Sequence, residues 1–338
     1  YRQHIASASV TEHLDGITDI GGRWIVSWPN ATGIQSIAGS MALRSKNLLS
    51  PTEMFGVRTG FDVFPETLTA HVFSGAGRGC AYDCSFCSER RSSAGPITDL
   101  DTAATRLTNQ IAVAVNVISE DYPDMGASAF VEDSTFLAGS KRELRHFINL
   151  KERRYPNIQF GAQLTIDQVL KHVDLLRDLQ LIGLSYLFIG IETLDPRAVG
   201  HFSKDVHRRK SSWLWRAEKA IELLCSTRIH CGGAVLFGLG ETHQDRINLF
   251  HQLIRWRSLY GMPHPVSINW AVQHPLKGCD GSLSYRYDKW GIPPGPWLDA
   301  FSDFGEASVL YPIVGQKPPV FDEVKDIATV YRAEFLTI

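Results

Sequence analysis

Beyond residue 65 the chain switches repeatedly between two hydrophobic periods, and that alternation limits the folds open to it. The apolar, β-branched runs Leu68–Phe73, Ala127–Val131, Ile158–Gln163, Tyr186–Ile191, Ile229–Phe237 and Val266–Val272 read as strands. Amphipathic stretches with helical spacing separate them. Ser140 to Glu143, Thr165 to Gln168 and Thr242 to Asp245 carry helix-start signals, the last with a shorter acidic partner. Leu170, Val173, Leu176 and Leu179 form an apolar stripe that reads as core packing. Strands alternating with helices run parallel and are joined by right-handed crossovers. Six units are too few for a closed eight-fold barrel, so the expected fold is α/β, a partial (β/α)6 barrel with chemistry at the carboxyl ends of its strands.

The exit of the first strand carries the most specific chemistry. Gly79-Cys80-Ala81-Tyr82-Asp83-Cys84-Ser85-Phe86-Cys87 spaces three cysteines as C-x3-C-x2-C. Thiolates are soft ligands that select iron–sulfur clusters or zinc. Three of them satisfy three irons of a [4Fe–4S] cubane and leave the fourth open to a ligand that is not protein. Structural zinc needs a fourth ligand and a second half-site, whereas His71, Cys225, Cys231 and Cys279 are scattered singly. A dinucleotide loop fails because cysteines, not a helix, follow Gly75-Ala76-Gly77-Arg78-Gly79. A disulfide scaffold fails because 6 cysteines in 338 residues are sparse for a stapled chain.

The loop, with Phe86 directly before its last cysteine, resembles the cluster loop of the radical S-adenosylmethionine (SAM) enzymes. Later strand ends add to the resemblance. Phe130-Val131-Glu132-Asp133-Ser134-Thr135-Phe136 is similar to the acidic segment of the cobalamin class. Phe188-Ile189-Gly190-Ile191-Glu192-Thr193 resembles the fourth-strand motif, and Phe237-Gly238-Leu239-Gly240-Glu241-Thr242 a glycine-rich fifth-strand motif one residue shorter than usual. His274-Pro275-Leu276-Lys277-Gly278-Cys279 resembles the sixth, with Cys279 where the family has threonine.

The resemblance implies that Cys80, Cys84 and Cys87 hold a [4Fe–4S] cluster that binds SAM and is reduced by a donor such as flavodoxin or ferredoxin. It assigns the methionyl ammonium to Glu132 and Asp133, the ribose hydroxyls to Glu192, the methionyl carboxylate to Lys204 and the adenine to Gly238 and Gly240. Phe86 and Gln163 complete the candidate cofactor residues. Cys279 and Glu241 are the candidate catalytic residues, Cys279 as a thiol that returns a hydrogen atom to a product radical. Cys231 reads as core.

The expected organisation is an N-terminal cap or remnant module over 1–65, the barrel core over 66–283 and a C-terminal segment over 284–338 closing the barrel and ending in a helix near Asp322–Phe335. The chain begins with Tyr1 rather than methionine, which leaves an upstream domain open. A net charge of -2 gives no electrostatic case for nucleic acid or an acidic membrane, and cysteines at cluster spacing point to a reducing cytoplasm. The residues before Cys80 carry no aspartate–x–histidine–x–x–glycine loop for cobalamin. The expected reaction is therefore cobalamin-independent, a radical dehydration of a 1,2-diol in a sugar or aminoglycoside, as in apramycin-type antibiotic biosynthesis. A radical SAM methyltransferase and a non-catalytic iron–sulfur or zinc scaffold are the alternatives.

Overall fold

The computed structural model describes residues 17–20, 23–26, 58–59, 64, 66–72, 74, 82, 84, 100–154, 157–194, 213–264, 266–270 and 321–336. Strands β1 (Ile17–Ile20) and β2 (Arg23–Val26) pair antiparallel. Strand β3 (Arg58–Thr59) adds an antiparallel edge to β4 (Thr67–Val72), and two residues are too short a run to show a period.

From β4 onward the strands lie side by side in chain order, β5 (Gly126–Val131), β6 (Phe160–Leu164), β7 (Leu184–Glu192), β8 (His230–Phe237) and β9 (Val266–Trp270). The six parallel strands form the expected partial (β/α)6 barrel. Of the expected final run, residues 271 and 272 lie outside the described set.

Contacts divide the chain into two compact units, Tyr1–Ala76 with Asp99–Ala162 and Leu181–Gly183, and Gly77–Thr98 with Gln163–Gln180 and Leu184–Ile338. In the first unit, helices α1 (Leu100–Asp121) and α2 (Lys141–Arg154) pack together, and α1 covers β4 and β5. Ala103, Ala104, Leu107, Ile111, Leu144 and Phe147 are buried there. Rings of Phe136, Phe147 and Phe160 meet edge to face at 5.5–5.9 Å, geometry that favours the aromatic quadrupoles. Phe160 lies opposite Ala129, and Ala129 opposite Ala70, so helices cover the face that carries those residues. The opposite face carries Thr67, Thr69 and His71 with Ser128 and Phe130, because side chains alternate along a strand. On it Ser128 Oγ hydrogen-bonds to Thr67 Oγ1 at 2.7 Å and to Thr69 Oγ1 at 2.8 Å.

Lys151, at the last turn of α2, is fully buried. Its Nζ donates to the carbonyl of Ile158 at 2.8 Å and also to that of Ile182, and it lies 5.1 Å from the centre of the Phe160 ring. Burial pushes its pKa down to about 7. The neutral amine still has two N–H groups for its two carbonyls, and a ring's attraction for a cation, ~0.5–2 kcal/mol, is smaller than the cost of burying one. Between about 7 and the usual 10.5 the unfolded chain therefore binds a proton that the folded chain does not, and stability rises with pH across that window. The slope is at most ~1.4 kcal/mol per pH unit. Urea midpoints should climb from pH 7 to 9 in the native protein and stay level in Lys151→Met; equal slopes in both would exclude this lysine as the source.

In the second unit, α3 (Ile166–Lys171) and α4 (Val173–Leu181) precede β7. Helix α5 (Trp213–Ser226) precedes β8 and α6 (His243–Tyr260) follows it. Thr165 and Thr242 each close a full capping box, with Gln168 and Asp245 as partners. At Ser140 the Glu143 amide donates to the serine hydroxyl at 3.5 Å. The expected stripe through Val173 needs correction: His172 leaves helical geometry at φ -106°, ψ 23°. That break shifts the phase, so Leu175, Leu176 and Leu179 are buried while Val173 is 46% exposed. Helix α7 (Phe321–Tyr331), extended by a π turn over Arg332–Leu336, is the expected terminal helix. It packs on α6, with Phe250 and Phe335 ring centres 6.0 Å apart and the Tyr331 hydroxyl donating to the carbonyl of Val266 at 2.8 Å. No helix among the described residues is long and apolar enough to cross a membrane.

Candidate active site

In the first unit, the exits of β4 and β5 are tied together by side chains 59 and 61 residues apart in sequence. Asp133 is 3% exposed, and both of its oxygens are engaged. Oδ1 accepts from the Ser74 amide at 3.0 Å; Oδ2 accepts from the Ser74 hydroxyl and from the Leu137 amide at 3.3 Å. Arg106 of α1 donates to the carbonyl of Ser74 at 3.4 Å. Ser74 stands six positions before Cys80, so the root of the cysteine loop is held through backbone and side chain alike. Glu132 lies beside Asp133 and is more exposed. Its Oε1 pairs with His71 Nδ1.

Within the second unit, the β7 exit is strained. The ladder with β8 shifts register between Gly190 and Glu192, and Glu192 adopts φ 63°. The Thr193 amide donates to the carbonyl of Ile191 at 2.8 Å, closing a three-residue γ-turn around Glu192. The Trp213 indole donates to the Thr193 carbonyl at 2.9 Å and fixes the next peptide. A left-handed glutamate costs about 1–3 kcal/mol that glycine would avoid, and this one is also buried, at 9% exposure. Glu192 thus combines backbone strain with burial. Gln163 is half-buried near the end of β6.

The β8 exit is built around a different carboxylate. Glu241 folds back so that Oε1 accepts from the Gly238 amide at 2.7 Å and Oε2 from the Leu239 amide at 2.8 Å. Arg246 Nε donates to Oε1 at 2.7 Å, and both side chains are 6% exposed. Arg246 also reaches Glu323 of α7 at 3.3 Å. Gly238 and Gly240 have φ 85° and 108°, angles that leave a side chain strained, so this tight loop needs its glycines. Glu241 thus holds a loop whose backbone could approach a flat ring. Cys231 is confirmed as buried core; burial pushes its thiol pKa up, which makes it inert.

Cys84 is 4% exposed and is not in a disulfide. Its partners Cys80 and Cys87, with Phe86, Lys204 and Cys279, lie outside the described residues.

The family model described as the Radical SAM superfamily matches residues 76–253. The chain belongs to the radical SAM superfamily. Its cofactors are accordingly a [4Fe–4S] cluster and SAM. Two solved structures are similar to this chain. One is the radical SAM methyltransferase TsrM from Kitasatospora setae, with tryptophan substrate and a SAM analogue bound: 15% identity, TM-score 0.42, covering 60% of this chain and 36% of that one. The other is OxsB, a cobalamin-dependent radical SAM enzyme with aqua-cobalamin and SAM bound: 16% identity, TM-score 0.43, covering 58% and 29%. This chain thus spans about a third of the length of either protein. No curated protein matches it.

The residues present fit the radical SAM cofactors on their chemistry. The loop carries three soft thiolates within eight positions, and its middle one is buried and reduced. Its root is pinned at Ser74. What sequence reasoning missed here are the fixing groups, Ser74, Arg106 and Arg246 on the loops and His71 beside Glu132. None has a local motif, since each partner is distant in the chain or known only from the folded backbone.

Proposed function

We propose that this radical SAM enzyme removes water from a 1,2-diol of a sugar or aminoglycoside. The observation that carries the substrate class is the His71–Glu132 pair at the carboxyl ends of β4 and β5. An imidazole and a carboxylate suit a substrate rich in hydroxyl and ammonium groups better than an apolar one.

In this reading Cys80, Cys84 and Cys87 hold the cluster. Bound and reduced, the cluster and SAM supply a 5′-deoxyadenosyl radical that abstracts hydrogen from carbon. Glu132, Gln163 and Glu192 offer hydrogen-bond acceptors to the ammonium and ribose groups of SAM, and the Gly238–Gly240 backbone receives its adenine. Asp133 and Glu241 keep the two loops in shape. Lys204 pairs with the methionyl carboxylate, and Cys279 returns a hydrogen atom to product.

The test is anaerobic turnover with reconstituted protein, SAM, dithionite and aminoglycoside diols such as paromamine. The expected products are 5′-deoxyadenosine and a sugar lighter by one water. A product heavier by a methylene would replace dehydration with methyl transfer, and no SAM cleavage at all would leave a non-catalytic iron–sulfur scaffold.

Glu192 gives a second check. In Glu192→Gly the left-handed backbone becomes free of strain while the carboxylate is lost. Stability should stay within about 1 kcal/mol of native or rise, while SAM affinity drops roughly 10- to 100-fold, the worth of hydrogen bonds to a charged group. Urea unfolding and equilibrium dialysis with SAM measure the two; unchanged affinity would remove Glu192 from the cofactor site.

A further inference from the structure

The His71–Glu132 pair stands at the carboxyl ends of β4 and β5 and leaves one imidazole nitrogen buried. Register sets His71 opposite Phe130, and Glu132, two residues further, falls on the same face of the β4–β5 pair. The imidazole is fixed on two sides, by Glu132 Oε1 at Nδ1 and by the Phe130 ring at a centroid distance of 6.2 Å. A carboxylate at Nδ1 selects the tautomer with the proton there, which leaves Nε2 as the basic nitrogen. That Nε2 is buried and has no hydrogen-bond partner among the described residues. Buried polar atoms are nearly always partnered, so an oriented base with its lone pair unspent is a site for a ligand's hydroxyl or ammonium proton.

We propose that His71, held by Glu132, moves the proton that radical dehydration requires; the role rests on the diol reading above. Loss of a hydrogen atom leaves a carbon radical that bears a hydroxyl. His71 Nε2 takes that hydroxyl's proton. The neighbouring C–O bond then breaks, its electron pair leaving with oxygen, and the proton on Nε2 passes to that oxygen to form water. The imidazole ends as it began, and the substrate radical has lost one water. Cys279 gives a hydrogen atom to this product radical, and one electron from a low-potential donor protein with one proton from solvent restores the thiol. Proton transfer within a single imidazole needs both hydroxyls within its reach, which is the relation of neighbours in a 1,2-diol.

The experiment uses the reconstituted enzyme with paromamine deuterated at its ring carbons, and counts dehydrated product per deuterated 5′-deoxyadenosine. The native ratio should be near one. In His71→Gln it should fall about 100-fold, the lower range of general acid–base catalysis, and imidazole added to His71→Ala should restore part of it. Equal iron content in all three proteins controls for folding. A second readout needs no cofactor: in the unloaded protein, the ¹⁵N spectrum should show His71 protonated at Nδ1, with an Nε2 resonance that moves when paromamine is added. An unchanged ratio in His71→Gln, or an Nε2 indifferent to the diol, overturns the role of His71 and leaves the diol reading standing. Native enzyme that takes up deuterium without releasing water overturns the diol reading and this role with it.

Discussion

Cys84→Ala should leave the protein without its cluster and without SAM cleavage, the largest functional effect expected of any single substitution here. In the proposed site Cys80, Cys84 and Cys87 would hold the cluster together, so loss of one thiolate would remove a third of that ligand set. Cys84 is the middle cysteine and is 4% exposed, so no water-exposed neighbour can take its place without reorganising the loop. The loop's root at Ser74 is held by Asp133 and Arg106, contacts that do not involve the cysteine. The variant should therefore fold, with a urea midpoint near native, while iron and sulfide content and the charge-transfer absorption of the cluster drop to background. Alanine in place of a buried thiol removes a small hydrophobe and costs about 1 kcal/mol. If the anaerobically purified variant kept native iron and still produced 5′-deoxyadenosine, the assignment of the cluster to this loop would be wrong.

Glu241→Ala should cost about 3–5 kcal/mol, the largest expected stability effect. The carboxylate and Arg246 form a pair at 2.7 Å with both side chains 6% exposed. Removing one member of a buried pair strands the other charge away from water, and that desolvation cost, rather than the lost attraction, dominates the loss. Glu323, at 3.3 Å and 31% exposed, relieves only part of it. Two further donors, the amides of Gly238 and Leu239, lose their acceptor, which adds ~1–3 kcal/mol for each amide that water does not reach. Arg246→Ala should be nearly as damaging, and the double variant much less so than the sum, because the second substitution removes the stranded charge. Urea unfolding of the four proteins measures this coupling. A loss below ~1 kcal/mol in Glu241→Ala would mean that water screens the pair. The functional corollary is a loosened Gly238–Gly240 loop, so SAM affinity should weaken with stability in Glu241→Ala, in contrast to Glu192→Gly.

Much of the architecture is written in short stretches of sequence. Six parallel strands in chain order follow from period-two runs separated by amphipathic helices. The capping boxes at Thr165 and Thr242 were legible because each is closed by a residue three positions on. The family was legible because three cysteines fall within eight residues. Cys231 was placed in the core by its apolar strand alone. Local patterns of this kind survive any rearrangement of the rest of the chain.

The choice among the acidic residues was not local. Glu132 and Asp133 are adjacent and chemically alike, yet one pairs with His71 and the other clamps Ser74, because successive side chains at a strand exit point to opposite sides. Glu192 ends β7 and Glu241 lies four residues beyond the end of β8, and both strands bear glycines. Only the register shift in β7 makes the first a strained γ-turn, and only Arg246 makes the second a clamp. Lys151 looks like a surface lysine in sequence and is buried because two carbonyls, from Ile158 and Ile182, converge on it. The sequence by itself determined which chemistry is present and in what order along the chain. Tertiary structure decided which partner each of these carboxylates takes and where the His71 imidazole is held. Those outcomes depend on strand register, where a slip of one residue would turn every side chain to the other face.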